Sequence, residues 1–297
     1  MLHVIHQDPH QHAERRSRWT LAAIGRACPW LGVRLPSSVW YLLDRLDIHY
    51  KRARAHVHSP DPNYLPKLQS VRVHLQQAAL GGGDVVLFED EFTFYRQPSL
   101  AQAWERAGHE QTLAELGHRP NRHSRLVAAL NAVSGQVHCR QADAITLQEL
   151  VRFYQGLREA YPEAETIWLV QDNWPWHFHP DVLAALQEQV YPWPLARMPS
   201  WPKEPRPNAP RLQLPIRLVL LPTYASWTNP IEKLWRLLRQ ELLHVHHFED
   251  QWEQLKQAVN QFMDQIQYRA EELRRYVGLT DPTRLYQTAF QKAGITL

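Results

Sequence analysis

Three short, nearly continuous apolar runs limit the folds open to this chain: residues 85–88, 166–170 and 216–221. Runs of this length are typical of strands that are buried on both faces of a sheet. Two further runs, 126–132 and 136–140, flank Ser134-Gly135 and predict a hairpin. Because helical patterns separate the later runs, the order of elements predicts an α/β fold, a mixed sheet with helices on its faces.

Helical patterns fill much of the remaining chain. Residues 66–80 form a predicted helix that ends at three consecutive glycines. Thr146 and Glu149 form a capping box at the start of the next predicted helix. After the last apolar run, a helix is predicted over 230–245, with Asn229 as its N-cap. The other predicted helices are a short one over 181–189 and two polar-rich helices from about residue 249.

Residues 18–57 carry the pattern of two short helices followed by a basic tail. The first predicted helix is 19–28, and Pro29 and Gly32 end it. The second starts near Ser37 and has apolar residues at helical spacing at Val39, Leu42, Leu43 and Leu46. A helix, a short break and a second helix make up the plan of a helix-turn-helix module. A plain helical hairpin with a solvated tail is the alternative.

Basic residues are concentrated in this part of the chain. Residues 1–80 carry 11 Lys and Arg against 5 Asp and Glu, although the whole chain has a net charge of only +3. A basic segment joined to a slightly acidic body favours a nucleic-acid-binding module. The residues predicted to contact DNA are Trp40, Arg45, Lys51, Arg52 and Arg54.

Changes in composition predict three segments along the chain. Residues 1–65 comprise the helix-turn-helix module and a turn-rich linker, and residues 66–245 comprise the sheet-containing core. Residues 246–297 are the predicted C-terminal helices. Eight prolines within residues 191–215 predict an irregular insertion in the core.

The sequence also argues against several classes of protein. No apolar run approaches the length needed to cross a bilayer. The N-terminus is rich in His, Gln and Arg and lacks a signal-peptide pattern, so we expect a cytoplasmic protein with no membrane association. The two cysteines, Cys28 and Cys139, support neither a disulfide framework nor a thiolate zinc site.

Three acidic residues occupy comparable positions. Asp90 and Asp172 follow predicted strands, and Glu232 lies in the first turn of the helix after the last strand. Carboxylates at strand ends lie where an open α/β sheet binds its ligands, and their oxygens suit Mg²⁺. Two such ions can stabilise both the attacking and the leaving oxygen of a phosphoryl displacement. Structural roles compete with this interpretation, since Asp is common in turns and Glu232 could form a capping box with Asn229.

Three sequence blocks surround these acids: residues 85–93 (VVLFEDEFT), 169–177 (LVQDNWPWH) and 221–235 (LPTYASWTNPIEKLW). In the same order, they resemble the three acidic blocks of mariner-related bacterial insertion-sequence transposases, which are DDE endonucleases. Residues 38–54 and 59–64 resemble the second helix-turn-helix and the linker of the same family. The resemblance covers about residues 18–245, and the Asn-Pro-Ile-Glu string is its most specific part.

The resemblance implies an RNase H-like sheet preceded by a helix-turn-helix, winged-helix-like module. It also implies that Asp90, Asp172 and Glu232 bind two Mg²⁺ or Mn²⁺ ions, and that a homodimer assembles on double-stranded DNA at transposon ends. Four further residues match family positions near the site: Glu91, Asn173, His177 and Asn229. His177 could contact a phosphate or orient Asp172, whereas Asn229 could cap the following helix.

The chain departs from the family pattern in two places. Residues 191–215 separate Asp172 from Glu232 more widely than in most relatives, and the N-terminal part is shorter by one helix-turn-helix. Because the three acidic blocks match in order despite these departures, we expect a transposase that cleaves DNA at transposon ends and transfers the strands to target DNA. The alternatives are an inactive, transposase-derived DNA-binding protein and a metal-dependent nuclease without strand transfer.

Overall fold

The computed structural model of the protein describes most of the chain: residues 1–33, 35–51 and 58–295. The chain divides into two compact units, residues 1–57 and 58–297. Arg52 and Arg54, which are both predicted to contact DNA, lie outside the described residues.

The described part of the first unit is helical. Its helices are α1 (Leu2–Ile5), α2 (Leu21–Ala27) and α3 (Pro36–Arg45). A small core of Ile24, Val39 and Leu43 joins α2 to α3, as the predicted helical spacing requires. The sequence patterns give no indication of α1. Residues 1–33 and 35–51 contain no strand that could form a wing.

The second unit is built around one five-stranded sheet. Its strands are β1 (Asp84–Tyr95), β2 (His123–Asn131), β3 (Val137–Ala142), β4 (Thr166–Gln171) and β5 (Ile216–Leu220). The spatial order is β3-β2-β1-β4-β5. Strands β1, β2 and β3 pair antiparallel, whereas β1, β4 and β5 run parallel to one another. This mixed sheet confirms the predicted fold class.

Helices cover both faces of the sheet. They are α4 (Tyr64–Ala79), α5 (Leu147–Ala160), α6 (Pro180–Leu183), α7 (Glu232–Leu238), α8 (Trp252–Gln267), α9 (Ala270–Val277) and α10 (Gln287–Lys292). One core contains residues of α4, α7, α8 and α9, among them the buried Trp235. The other contains residues of α5 and α6, among them Tyr154. Successive residues of β1 face the two cores in turn, with Phe88 in the first and Leu87 in the second.

Strand β1 is longer than its apolar run predicts. The run 85–88 predicted a strand that ends before Asp90, but Asp90 lies within β1. Pairing with β4 does end at Phe88, which lies opposite Val170. Pairing with β2 continues to the end of β1, because buried aromatic residues alternate with polar ones in its second half.

Two predicted helices are shorter in the structure. The helix predicted over 230–245 begins at Glu232 as α7 and continues as a π-helical turn, Arg239–Leu243. The residue before α7 is Ile231, and no side chain caps the helix, so the prediction of an Asn229 N-cap is wrong. The helix predicted over 181–189 is reduced to the four residues of α6.

The Pro-rich segment 191–215 contains no helix and no strand, as predicted. An isolated bridge between Leu186 and Leu214 holds its end near α6. Trp193 and Leu195 of this segment pack against the core beside α5, so part of the insertion is anchored by apolar contacts. Within the described part of the chain, no helix is both long and apolar enough to span a membrane.

Candidate active site

The three acids predicted to bind metal come from neighbouring parts of the sheet. Asp90 lies in β1, two residues past its last pair with β4, and Asp172 directly follows β4. Glu232 begins α7, after the loop that leaves β5. Because β4 lies between β1 and β5, the parallel strands bring all three carboxylates to the carboxyl edge of the sheet.

Asp90 lies close to the first core and is held by an indole. Its Oδ2 accepts a hydrogen bond of 2.8 Å from Nε1 of Trp235, and Trp235 stacks on Phe92 with a centroid distance of 5.2 Å. Burial raises the pKa of Asp90 well above its ordinary value, and the negative charges of Glu232, Glu91 and Asp172 raise it further. The hydrogen bond from Trp235 opposes this shift, since it favours the ionised carboxylate.

Asp172 begins the loop that follows β4. Its Oδ1 accepts a hydrogen bond of 2.7 Å from the backbone N–H of Trp174, which closes a tight turn. Although the side chain has exposed surface, the surrounding protein removes enough water to raise its pKa, and Glu91 adds to the shift. The next residue, Asn173, donates a hydrogen bond of 2.8 Å to the Leu221 carbonyl and so ties the ends of β4 and β5 together.

Glu232 is half-buried in the first turn of α7. Burial raises its pKa, and the charge of Asp172 adds to the increase. Arg239 and Arg236, on the same helical segment, act in the opposite direction. Glu232 and Asp172 therefore lie close enough to repel each other, as Glu232 and Asp90 do.

These carboxylates suit a hard divalent cation. Asp90 and Asp172 each use only one carboxylate oxygen in the hydrogen bonds described above. The mutual repulsion that raises their pKa values would be relieved by a positive ion placed between them. The donor set consists of oxygens alone, which Mg²⁺ and Mn²⁺ prefer.

Asn229 joins the loop before α7 to β1 rather than capping the helix. Its Nδ2 donates a hydrogen bond of 2.9 Å to the Glu89 carbonyl, and the side chain is buried. Strand β1 pairs with β4 only as far as Phe88, so the Glu89 carbonyl can accept from a side chain. Asn229 thereby fixes the approach of Glu232 to the strand that carries Asp90.

A second polar cluster lies on the opposite face of β1. It consists of Glu89, Glu91 and His177, whose potential ligand atoms all lie within 4.8 Å of one another. His177 Nε2 is 3.2 Å from Glu91 Oε1 and 3.5 Å from Glu89 Oε2. Burial raises the pKa of Glu89 well above its ordinary value, and the charges of Glu91 and Asp90 act in the same direction.

Sequence reasoning singled out Glu91 and His177 but missed Glu89. The available signal was a charged residue directly after the apolar run 85–88, at a position that alternation places toward the sheet's second core. Among the described residues, Glu89, Glu91 and His177 form the group whose ligand atoms approach one another within 4.8 Å. The carboxylates of Asp90, Asp172 and Glu232 interact electrostatically but are more widely spread.

The predicted DNA contacts that the structure describes are all exposed. Trp40 and Tyr41 meet edge to face on α3 with a centroid distance of 5.1 Å, and their exposed fractions are 51% and 64%. Arg45 ends α3, and Lys51 lies a few residues beyond it. This surface of the first unit offers two aromatic rings and two positive charges.

The fold of the chain is similar to that of solved transposase structures. A structure of the mariner Mos1 paired-end complex with Mg matches 98% of this chain and 80% of its own, with a TM-score of 0.60 and 14% identity. A Mos1 strand transfer complex matches 98% and 79%, with a TM-score of 0.58 and 13% identity. The mixed sheet with its flanking helices therefore has an RNase H-like fold.

The family follows from sequence. The family described as DDE superfamily endonuclease matches residues 85–256, which is more than half of the chain, so the protein belongs to the DDE superfamily of endonucleases. The chain is also 23% identical over 265 residues to a 39 kDa protein of insertion element IS630 from Shigella sonnei. That match covers 89% of this chain and 69% of the relative. The predicted resemblance to mariner-related insertion-sequence transposases is confirmed.

Proposed function

We propose that the protein is a metal-dependent DNA transposase that cleaves DNA at transposon ends and joins the freed ends to target DNA. The observation that carries the proposal is the convergence of Asp90, Asp172 and Glu232 at the carboxyl edge of the sheet, each with a pKa raised by burial and by a neighbouring acid. The relatives support it, since their names describe an insertion element and a strand transfer complex.

In this proposal Asp90, Asp172 and Glu232 hold two Mg²⁺ or Mn²⁺ ions. When bound, the ions supply charge stabilisation for the attacking and the leaving oxygen of the phosphodiester. Solved structures of Mos1 paired-end complexes are named for Mg and for Mn, which supports this choice of metal.

The protein's own residues hold the carboxylates in place. Trp235 fixes one oxygen of Asp90, and the turn at Trp174 fixes one oxygen of Asp172. Asn173 and Asn229 tie the loops that carry Asp172 and Glu232 to neighbouring strands. Because these contacts fix the carboxylates before the substrate binds, the carboxylates need little reorganisation during the reaction.

Double-stranded DNA is the proposed substrate, bound as transposon ends and as target, and a homodimer is the proposed assembly. The first unit contributes Trp40, Arg45 and Lys51 to DNA binding, together with the predicted contacts Arg52 and Arg54. Exposed aromatic rings can stack on sugar or base, whereas the positive side chains neutralise phosphates.

The test uses supercoiled plasmid DNA that carries the sequences flanking the coding region of this chain. Asp90→Asn and Glu232→Gln remove one charge each at nearly constant volume, so we expect nicking and joining to fall at least about a thousandfold while DNA binding is retained. Glu163→Gln, at an exposed glutamate just before the amino end of β4 and so at the opposite end of the strand from Asp172, is the matched control and should cleave as the wild type does.

The products separate the alternatives. Cleavage that persists in Asp90→Asn would refute the proposed site. Cleavage without joined products would identify a nuclease, and DNA binding without any cleavage by the wild type would identify a DNA-binding protein of transposase descent.

DNA binding by the first unit has its own measurement. Replacing Arg45 and Lys51 by Gln should weaken binding and reduce the slope of log affinity against log salt by about 0.9 for each lost phosphate contact. Lys203→Gln, in the Pro-rich segment, is the control for loss of one exposed charge. An unchanged slope in the Arg45 and Lys51 variant would exclude these residues from the DNA interface.

A further inference from the structure

The polar cluster behind Asp90 leaves several buried atoms without partners. Glu89 is completely buried and His177 is 1% exposed. Both carboxylate oxygens of Glu89, Oε1 of Glu91 and Nε2 of His177 have no hydrogen-bond partner. Unpartnered buried polar groups are rare and costly, and a buried carboxylate is costlier still. One potential ligand atom from each of the three residues lies within 4.8 Å of the other two, so a single bound species could contact all three side chains.

The spacing of these atoms fits one metal ion. Two ligand atoms about 2.1 Å from the same ion lie about 3.0 Å apart at a right angle and about 3.4 Å apart at the tetrahedral angle. His177 Nε2 lies 3.2 Å from Glu91 Oε1 and 3.5 Å from Glu89 Oε2. Both separations are compatible with ligands that share an ion, and all three ligand atoms lie within 4.8 Å of one another.

A hydrogen-bonded tyrosine orients the imidazole. Tyr154 Oη lies 3.1 Å from Nδ1 of His177 and 3.5 Å from Oε1 of Gln171. When the tyrosine hydroxyl donates to Gln171, its oxygen accepts a hydrogen bond from the Nδ1–H of His177, and in that tautomer the lone pair of Nε2 faces the two carboxylates. A lone pair directed at carboxylates is unfavourable without a cation, whereas metal-bound histidines commonly donate their other N–H to such a partner.

The charges also balance. Two carboxylates carry two negative charges into a region with little water, and one divalent ion cancels them. A proton shared between the two carboxyl groups is the competing occupant, but it satisfies fewer of the unpartnered atoms. The partial exposure of the Glu91 side chain, 16%, gives an ion a route to the cluster.

We propose that Glu89, Glu91 and His177 bind one divalent transition-metal ion, separate from the ions proposed for Asp90, Asp172 and Glu232. The nitrogen ligand favours Fe²⁺, Co²⁺ or Zn²⁺ over Mg²⁺ and Ca²⁺, which take oxygen ligands, and Mn²⁺, which accepts both kinds of ligand, serves as the spectroscopic probe. The ion would stabilise β1 against the loop after β4, the two segments that position Asp90 and Asp172. This inference does not rest on the proposed transposase activity.

The experiment loads the metal-free protein, residues 1–297, with Mn²⁺ in the absence of DNA. Electron paramagnetic resonance measures the number of bound ions, and pulsed methods detect coupling of Mn²⁺ to a ligand ¹⁴N. We expect one nitrogen-coupled ion in the wild type. His177→Gln and Glu89→Gln should abolish the nitrogen-coupled signal. Tyr154→Phe removes only the hydrogen-bond partner of His177 Nδ1, so it should weaken the affinity for Mn²⁺ about 10- to 100-fold.

Controls separate this site from the catalytic carboxylates. Glu232→Gln and Asp143→Asn should retain the nitrogen-coupled ion, although Glu232→Gln should lose DNA cleavage. A wild type without nitrogen-coupled Mn²⁺, a signal that His177→Gln leaves unchanged, or a signal that Glu232→Gln removes would overturn the assignment. If His177→Gln does not fold, an unaltered affinity in the folded Tyr154→Phe variant would overturn it as well.

Discussion

A buried ion pair at the start of the second unit allows a quantitative prediction. Asp61 Oδ2 accepts hydrogen bonds of 2.8 Å from Lys67 Nζ and 2.8 Å from the backbone N–H of Thr223. Asp61 Oδ1 accepts a further bond of 2.8 Å from the backbone N–H of Asn63. The side chains of Asp61 and Lys67 are only 4% and 6% exposed. The carboxylate thus joins the start of α4 to the loop between β5 and Glu232.

The magnitude follows from the pKa of Asp61. Burial alone would raise it, but the hydrogen bonds from Lys67, Thr223 and Asn63 lower it from 3.8 to about 2. A difference of about 1.8 pKa units corresponds to about 2.4 kcal/mol of stability. Removing one partner of a buried ion pair typically costs about 3–5 kcal/mol, because the other charge is left uncompensated. We therefore expect Asp61→Asn to lower the free energy of unfolding by about 2.5–4 kcal/mol at pH 7.

The sign of the pH dependence is fixed by the lowered pKa. The contribution of Asp61 is fully present above the unfolded pKa of about 3.8, and it is lost as the pH falls through about 2. The difference between wild type and Asp61→Asn should thus be nearly constant from pH 7 to pH 5 and shrink to about half at pH 3.

The assay is urea unfolding of the intact chain followed by tryptophan fluorescence, which reports mainly on the second unit because nine of the 12 tryptophans lie there. Asp143→Asn, whose exposed carboxylate lies 4.0 Å from Lys256, is the control and should change stability by less than about 0.5 kcal/mol. A loss below about 1 kcal/mol for Asp61→Asn at pH 7, or a difference that grows at low pH, would refute the reasoning.

Three further predictions concern the site and the sheet. Trp235→Phe removes the hydrogen bond to Asp90 and keeps the aromatic stack on Phe92, so the pKa of Asp90 in the metal-free protein should rise further. A carboxyl ¹³C NMR titration measures this pKa, and an unchanged or lower value would contradict the role of the indole. Asn229→Ala leaves the Glu89 carbonyl without its side-chain donor, so it should destabilise the protein by about 1–3 kcal/mol and reduce cleavage, whereas a purely helix-capping residue would affect stability alone. Gly135→Ala should destabilise the protein, because Gly135 has φ +77° and a Cβ there would collide with the Ala270 carbonyl. Gly156→Ala, in the middle of α5 with open space around it, should instead stabilise the protein by about 0.5–1 kcal/mol. Thermal unfolding of both variants measures the contrast.

Several elements could be predicted from local sequence because local physics decides them. The runs 166–170 and 216–221 form β4 and β5 almost as predicted, since a continuous apolar run is satisfied by burial on both faces of a sheet. Thr146 caps α5 by accepting a hydrogen bond of 3.2 Å from the backbone N–H of Glu149, as predicted, whereas the Glu149 carboxylate pairs with Arg140 and Arg152. Asp172 follows β4 directly for the same local reason, because an aspartate favours the turn that ends a strand.

Other predictions failed where a distant contact outweighed the local preference. The local pattern assigned Asn229 to a helix cap, but its amide donates instead to the carbonyl of Glu89, 140 residues earlier in the chain. The end predicted for the first strand was wrong because β2, which no local signal near Asp90 reveals, continues to pair with it.

Arg45 and Lys51 remain predicted DNA contacts on the strength of charge and exposure.

The sequence by itself determined the order of the strands and of most helices, the mixed sheet and the three acidic blocks, since periodicity, capping and turn preferences act over a few residues; it missed α1, and it predicted two C-terminal helices where the structure has α8, α9 and α10. The tertiary structure alone decided which side chains meet. Glu89 became part of a site only because β1 turns it toward His177, and His177 is oriented by Tyr154 from α5. Such contacts join residues that are far apart in the chain, and they depend on how whole elements pack, which no short stretch of sequence specifies.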